Sequence, residues 1–180
     1  MSFGFDILDC GSFVSPKAIP QMADTKAVLA QLDTTNSTTK LLTIVANLRG
    51  AEEAVAFSQI SYVGFPLSVS ETFQLRNTNS SMEESVQRVE AIQELCIKNQ
   101  KEMVVYLSMG FGNPYGDPWN VEIVAEWTQK LSNMGVKIIS LSDTVGSSSA
   151  EVIQYLFSNL IPQYPLIEFG VHLHTTPDKW

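Results

Sequence analysis

His172 and His174 are the only histidines in the chain, and they stand two residues apart in Glu168-Phe169-Gly170-Val171-His172-Leu173-His174. Side chains on a β-strand alternate between faces, so both imidazoles point the same way, about 6.5 to 7 Å apart along the strand. Two imidazoles on one face can supply two ligands to a single divalent metal ion. The same spacing suits a pair of core or surface histidines, so a second feature has to decide. Ile138-Ile139-Ser140-Leu141-Ser142-Asp143-Thr144 provides it. This apolar run ends on a carboxylate, and helical sequence then leads on to the histidine strand.

The elements that must position these groups can be followed along the chain. Phe5–Cys10, Leu41–Ala46, Ile60–Phe65, Met103–Ser108, Ile138–Thr144 and the histidine stretch read as short buried strands rich in branched residues. Amphipathic helical segments run over about 24–32, 50–57, 120–134 and 149–159, and another follows Ser80-Ser81-Met82-Glu83, which reads as a capping box pairing Ser80 with Glu83. Pro66 is expected to stop the third strand, and residues 68–77 to form a polar loop. The loop at Gly110-Phe111-Gly112 lacks dinucleotide spacing, and Pro114 and Pro118 separate its glycines from any helix. Strands alternating with helices indicate a parallel sheet. Ser12, Asn47, Glu71, Ser108, Asp143 and His174 all follow strands, on the face where (β/α) barrels carry their active sites.

At 180 residues the chain suits one domain, 1–180, with a real core. A complete eight-stranded barrel usually takes about 250 residues, so six units fit this length. The net charge of −8 argues against nucleic acid, which is bound by neutralising phosphates. No apolar run approaches the roughly 20 residues of a membrane span. With no basic and apolar leader at Met1, a cytoplasmic location is expected. Cys10 and Cys96 form no CxxC pair and read as small core residues with reduced thiols.

With these stretches in hand, the chain resembles the hydroxymethylglutaryl-CoA lyase family, among the metal-dependent TIM-barrel lyases and Claisen synthases. The most specific stretch is Ser12-Phe13-Val14-Ser15-Pro16-Lys17 running into Pro20-Gln21-Met22-Ala23-Asp24-Thr25, which looks like the lyase branch. Ser70-Glu71-Thr72-Phe73, Asn77–Ser85, Ser140–Gly146 and Val171–His174 support it. The resemblance implies an α/β fold, an incomplete (β/α)8 TIM barrel of about six parallel strands with flanking helices. It implies a retro-Claisen cleavage of the acyl-CoA substrate 3-hydroxy-3-methylglutaryl-CoA to acetyl-CoA and acetoacetate, assisted by a divalent metal, Mg²⁺ or Mn²⁺.

Carried over by position, His172 and His174 are metal ligands, and His172 is also a base for the substrate's hydroxyl proton. Asp143 assists proton transfer or orders the metal site. Asp9 stands where the family usually has Glu, and Ser12 and Thr144 line the substrate site. Each has a plainer rival: Asp143 as a cap of the following helix, Asp9 as a structural ion-pair partner, Ser12 as a turn residue. The family's first strand, with its Arg-Asp pair, has no counterpart here, nor do its later catalytic Cys and Asn ligand. The isolated chain is therefore expected to be largely inactive and to dimerise or await a complementing segment, its sheet edges being open. A non-catalytic remnant of the family and, further off, a Claisen-type synthase are the alternatives.

Overall fold

A computed structural model describes residues 4–175 and 177. The strands are β1 (Ile7–Ser12), β2 (Lys40–Ile44), β3 (Ile60–Ser68), β4 (Glu102–Ser108), β5 (Ile138–Ser142) and β6 (Glu168–His172). Between them lie α1 (Thr25–Gln31), α2 (Leu48–Val55), α3 (Glu71–Thr78), α4 (Met82–Lys98), α5 (Val121–Asn133) and α6 (Ala150–Gln163). The six strands form one parallel sheet in chain order, as a (β/α) barrel requires. The chain divides into two compact units, one running to Phe65 together with Arg88–Met103, the other made of Pro66–Gln87 with the chain from Val104 onward.

In the first unit, Leu41, Ile60, Val63 and Phe65 of the strands and Leu29, Val89 and Ile92 of the helices are fully buried. Lys101 ties its amino-end side, its Nζ donating to the carbonyls of Ile60 (2.6 Å) and Phe57 (3.3 Å). Between Asp9 and Ser12, β1 advances three residues while β2 advances two, a bulge. Gly11 makes it possible: its φ is +138°, and a Cβ there would meet Thr25 Oγ1 at 2.8 Å.

In the second unit, Leu107, Ile139 and Leu141 of the strands and Val124, Leu131, Leu156 and Leu160 of α5 and α6 are fully buried. Residues of one register row share a face. Tyr106, Ser140 and Gly170 make one row, and Ser142 pairs with His172 in the next. This second face is therefore polar.

Three local expectations change. Residues 71–78 are a helix, not a loop. Ser70 Oγ accepts from Phe73 N–H (3.1 Å) and Asn79, at φ 49°, closes the far end. Only Gln74 of α3 is buried, so the apolar stripe that marks a helix is missing. The capping box is Ser81–Glu84: Ser81 N–H donates to Glu84 Oε2 (2.8 Å) and Glu84 N–H to Ser81 Oγ (3.1 Å). Ser80 is buried instead, its hydroxyl 2.8 Å from that of Ser85. Finally, β3 continues through Pro66 to Ser68. The ladder with β2 reaches only Gly64, so the missing proline N–H costs no bond on that side.

Candidate active site

His172 is the last residue of β6, whereas His174 lies two residues beyond it rather than on the strand as the alternation predicted; their rings are near-perpendicular with centroids 5.4 Å apart. The strand positions His172 because Ser142 pairs with it and Asp143 N–H donates to the His172 carbonyl (2.9 Å). His174 Nδ1 lies 2.9 Å from the Thr144 carbonyl oxygen. A carbonyl can only accept, so Nδ1 carries the hydrogen, and in the neutral ring Nε2 keeps its lone pair. That is the arrangement in which a ligating imidazole is oriented from behind. The His172 ring stands edge-on to Tyr106, centroids 5.8 Å apart. Ser140 and Gly170 are the small members of the Tyr106 row.

Thr144 holds more than its carbonyl in place. Its Oγ1 accepts from Met109 N–H (2.9 Å) and donates to the Ser142 carbonyl (3.5 Å). Asp143 is 2% exposed and its carboxylate is committed. Oδ1 accepts from Ser147 N–H (2.7 Å) and Ser148 N–H (3.1 Å), and Oδ2 from the Ser148 hydroxyl (2.6 Å). The carboxylate thus organises the turn that enters α6, where Ser149 Oγ caps the first turn. A hollow of about 540 Å³ opens beside this turn, lined by Asp143, Ser148, Ser149, Glu151, Leu173 and His174.

Asp9 and Ser12 belong to the first unit. Asp9 Oδ1 accepts from Gly11 N–H (3.4 Å). The Ser12 hydroxyl donates to the Ile44 carbonyl (3.1 Å) and accepts from Val14 N–H (3.2 Å), so it steadies the strand end. A second hollow of about 330 Å³ begins there, with Thr25, Lys26, Arg49 and Glu53 on its wall. The second unit by itself therefore brings together Asp143, Thr144, His172 and His174.

The two imidazoles fit a divalent ion as a pair of nitrogen ligands. Among the described residues, no group of three or more His, Cys, Asp or Glu side chains could hold a metal. Two participants escaped the sequence reading. Tyr106 was detectable, since it shares a strand face with Ser108, a residue already marked as polar at a strand end. Met109 carried no signal, because its part is played by a backbone N–H at φ 58°.

The HMGL-like family model matches residues 2–177. Human mitochondrial hydroxymethylglutaryl-CoA lyase is 35% identical over 173 residues, which is 96% of this chain and 53% of that protein. The HMG-CoA lyase of Brucella melitensis superposes with a TM-score of 0.86 at 27% identity, covering 95% of this chain and 60% of that one. An HMG-CoA lyase of Acinetobacter baumannii, solved with coenzyme A and 3-methylmalate, gives 0.86 at 25% identity over 97% of this chain and 56% of that one. The chain spans about half the length of the curated relatives it matches. With the histidine pair at the end of a parallel strand and a family match along almost its whole length, the chain belongs to the HMGL-like family.

Proposed function

We propose that this chain carries the histidine half of a hydroxymethylglutaryl-CoA lyase site, acting on 3-hydroxy-3-methylglutaryl-CoA or a closely similar 3-hydroxyacyl thioester. The observation that supports it best is the His174 ring held through Nδ1 by Thr144, with Nε2 left for a ligand beside His172. Mg²⁺ or Mn²⁺, when bound, supplies Lewis-acid polarisation of the substrate's oxygens. The two histidines would hold it, and Thr144 fixes the orientation of one of them. His172 is assigned to the tertiary hydroxyl proton only at a stage when its ring lone pair is off the metal, since one lone pair cannot serve both. Asp143 orders the turn behind the pair. Tyr106 flanks His172, and the hydroxyls of Ser140 and Ser142 give the same face a polar lining suited to a small branched acyl group. On the resemblance alone, Asp9 is assigned a catalytic role and Ser12 and Thr144 substrate-lining ones.

Mn²⁺ titration and acetoacetate release from 3-hydroxy-3-methylglutaryl-CoA, on the chain and its His172→Ala and His174→Ala variants, test this reading. Weak Mn²⁺ binding that either substitution abolishes is expected, as is the loss of any thioester cleavage in His172→Ala. A folded chain that binds no Mn²⁺ would sink it. One observation favours a second reading, a scaffold without chemistry: among the described residues the histidine pair has no third ligand. Folded protein with neither metal binding nor turnover is the result that reading expects.

A further inference from the structure

The segment between β4 and α5 is fastened at both ends, and the two fastenings lie in one unit. At its start, Met109 N–H is held by Thr144 Oγ1 (2.9 Å) and Gly110 N–H by the Ser142 carbonyl (3.1 Å). A Cβ on Gly110 would come within 2.9 Å of the Leu107 carbonyl, so the turn there is tight. At its far end, the Asp117 carboxylate grips the start of α3. It accepts from the Ser70 hydroxyl (2.5 Å), Thr72 N–H (3.0 Å) and the Thr72 hydroxyl (2.9 Å). Asn113 makes the stretch between stiff: its Oδ1 takes the N–H groups of Tyr115 (3.0 Å) and Asp117 (3.1 Å), while its Nδ2 donates to the Asp117 carbonyl (3.0 Å). The Tyr115 ring is stacked on Phe73 and covered by the Arg76 guanidinium, 4.8 Å from its centroid.

The Asp117 carboxylate is engaged at the start of α3, and a plain capping role for it would end there. The connection does not end there. Thr144, whose hydroxyl secures Met109, is the residue whose carbonyl fixes His174. We infer that Asp117 is a positioning residue for the metal site: by clamping the β4–α5 segment to α3, it holds Thr144, and so the His174 ring, in the ligating orientation. Coupling of this kind travels through contiguous packed and hydrogen-bonded groups, and it has to be shown by a coupling measurement. The metal-site part of the inference rests on the function proposed above; the ring-orientation part does not.

The test uses the whole chain with ¹⁵N-labelled histidine, at about pH 8.5, where an ordinary imidazole is neutral. Imidazole nitrogen shifts report the tautomer of His174 in the wild type and in Asp117→Asn, Asp117→Ala and Thr144→Val. The wild type is expected to be dominated by the Nδ1–H form. That preference should decline in Asp117→Asn, which keeps one acceptor oxygen, and decline further in Asp117→Ala. In the Thr144→Val background, the Asp117 substitutions should add nothing, because the tie is already cut. Mn²⁺ affinity should follow the tautomer, weakening about threefold to tenfold in Asp117→Ala. Unchanged His174 shifts in folded Asp117→Asn or Asp117→Ala would overturn the inference, as would effects that add independently to those of Thr144→Val. Should Asp117→Ala fail to fold, the Asp117→Asn and Thr144→Val cycle decides. A wild type that binds no Mn²⁺ would count against the proposed function alone, since the shifts still judge the clamp.

Discussion

The two cysteines show how far environment separates identical side chains. Cys96 is fully buried on α4, and burial, reinforced by the Glu102 charge, pushes its thiol up to about 12. Cys10 is half-buried beside the β1 bulge, its Sγ donating to the Leu42 carbonyl, and burial followed by the Asp9 charge raises it as well. The thiolate is the reactive form, so neither should react like an exposed thiol at pH 8. Cys10 is nevertheless expected to alkylate well before Cys96, and Cys96 only at the rate of unfolding; iodoacetamide labelling followed by mass spectrometry checks the order. At this scale the sequence was informative about identity and silent about commitment. Spacing drew attention to the histidine pair, and only the neighbouring strand ending on Asp143 turned it toward a metal site; that His174 stands beyond the end of β6 was not in the pattern. That the carboxylate of Asp143 and the hydroxyl of Ser12 are taken up by neighbouring backbone depends on turns whose shape no local pattern prescribes.

Elements with a strong period were legible, and those held by side-chain hydrogen bonds were not. Strands β2, β4 and β5 and helix α5 announce themselves through runs or stripes of buried residues. Helix α3 has no such stripe, and its start is fixed by Asp117, 45 residues further on from Thr72. The neighbouring capping box was displaced by one position because Ser80-Ser81 and Glu83-Glu84 offer two equivalent pairings. Burial resolves them, drawing Ser80 inward toward Ser85. Ser81→Ala should therefore cost about 1 kcal/mol through loss of the cap. Ser80→Ala acts differently, by leaving buried hydroxyls short of a partner, at about 1–3 kcal/mol. Urea denaturation of the two variants checks both values, and equal costs removed by changing Glu83 rather than Glu84 would restore the displaced pairing.

For the molecule as a whole, the sheet order ends at β1 and β6 among the described residues. Both ends expose apolar side chains: Phe5 and Ile7 at one, Val171 and Leu173 at the other, with Leu166 at 88% relative exposure just before β6. Exposed edges of this kind invite pairing with further strands, while a net charge of −8 makes copies repel over roughly 8 Å at physiological salt. Self-association is therefore expected to rise with both protein concentration and salt. Sedimentation velocity at low and high ionic strength measures it, and a monomer that persists across the salt range would show the edges to be better protected than their exposure implies.

Gly170 shares the Tyr106 row, and nothing in the backbone there demands glycine. An added Cβ would find its nearest neighbour, Ser140 Oγ, at an ordinary 3.5 Å. Smallness at that position is thus separable from foldability. A single methyl group would rest against Ser140 and leave the strand, its register and its partners undisturbed. An alanine substitution at Gly170 would therefore pass a stability screen, and whatever it changed in the chemistry would be read free of any folding defect.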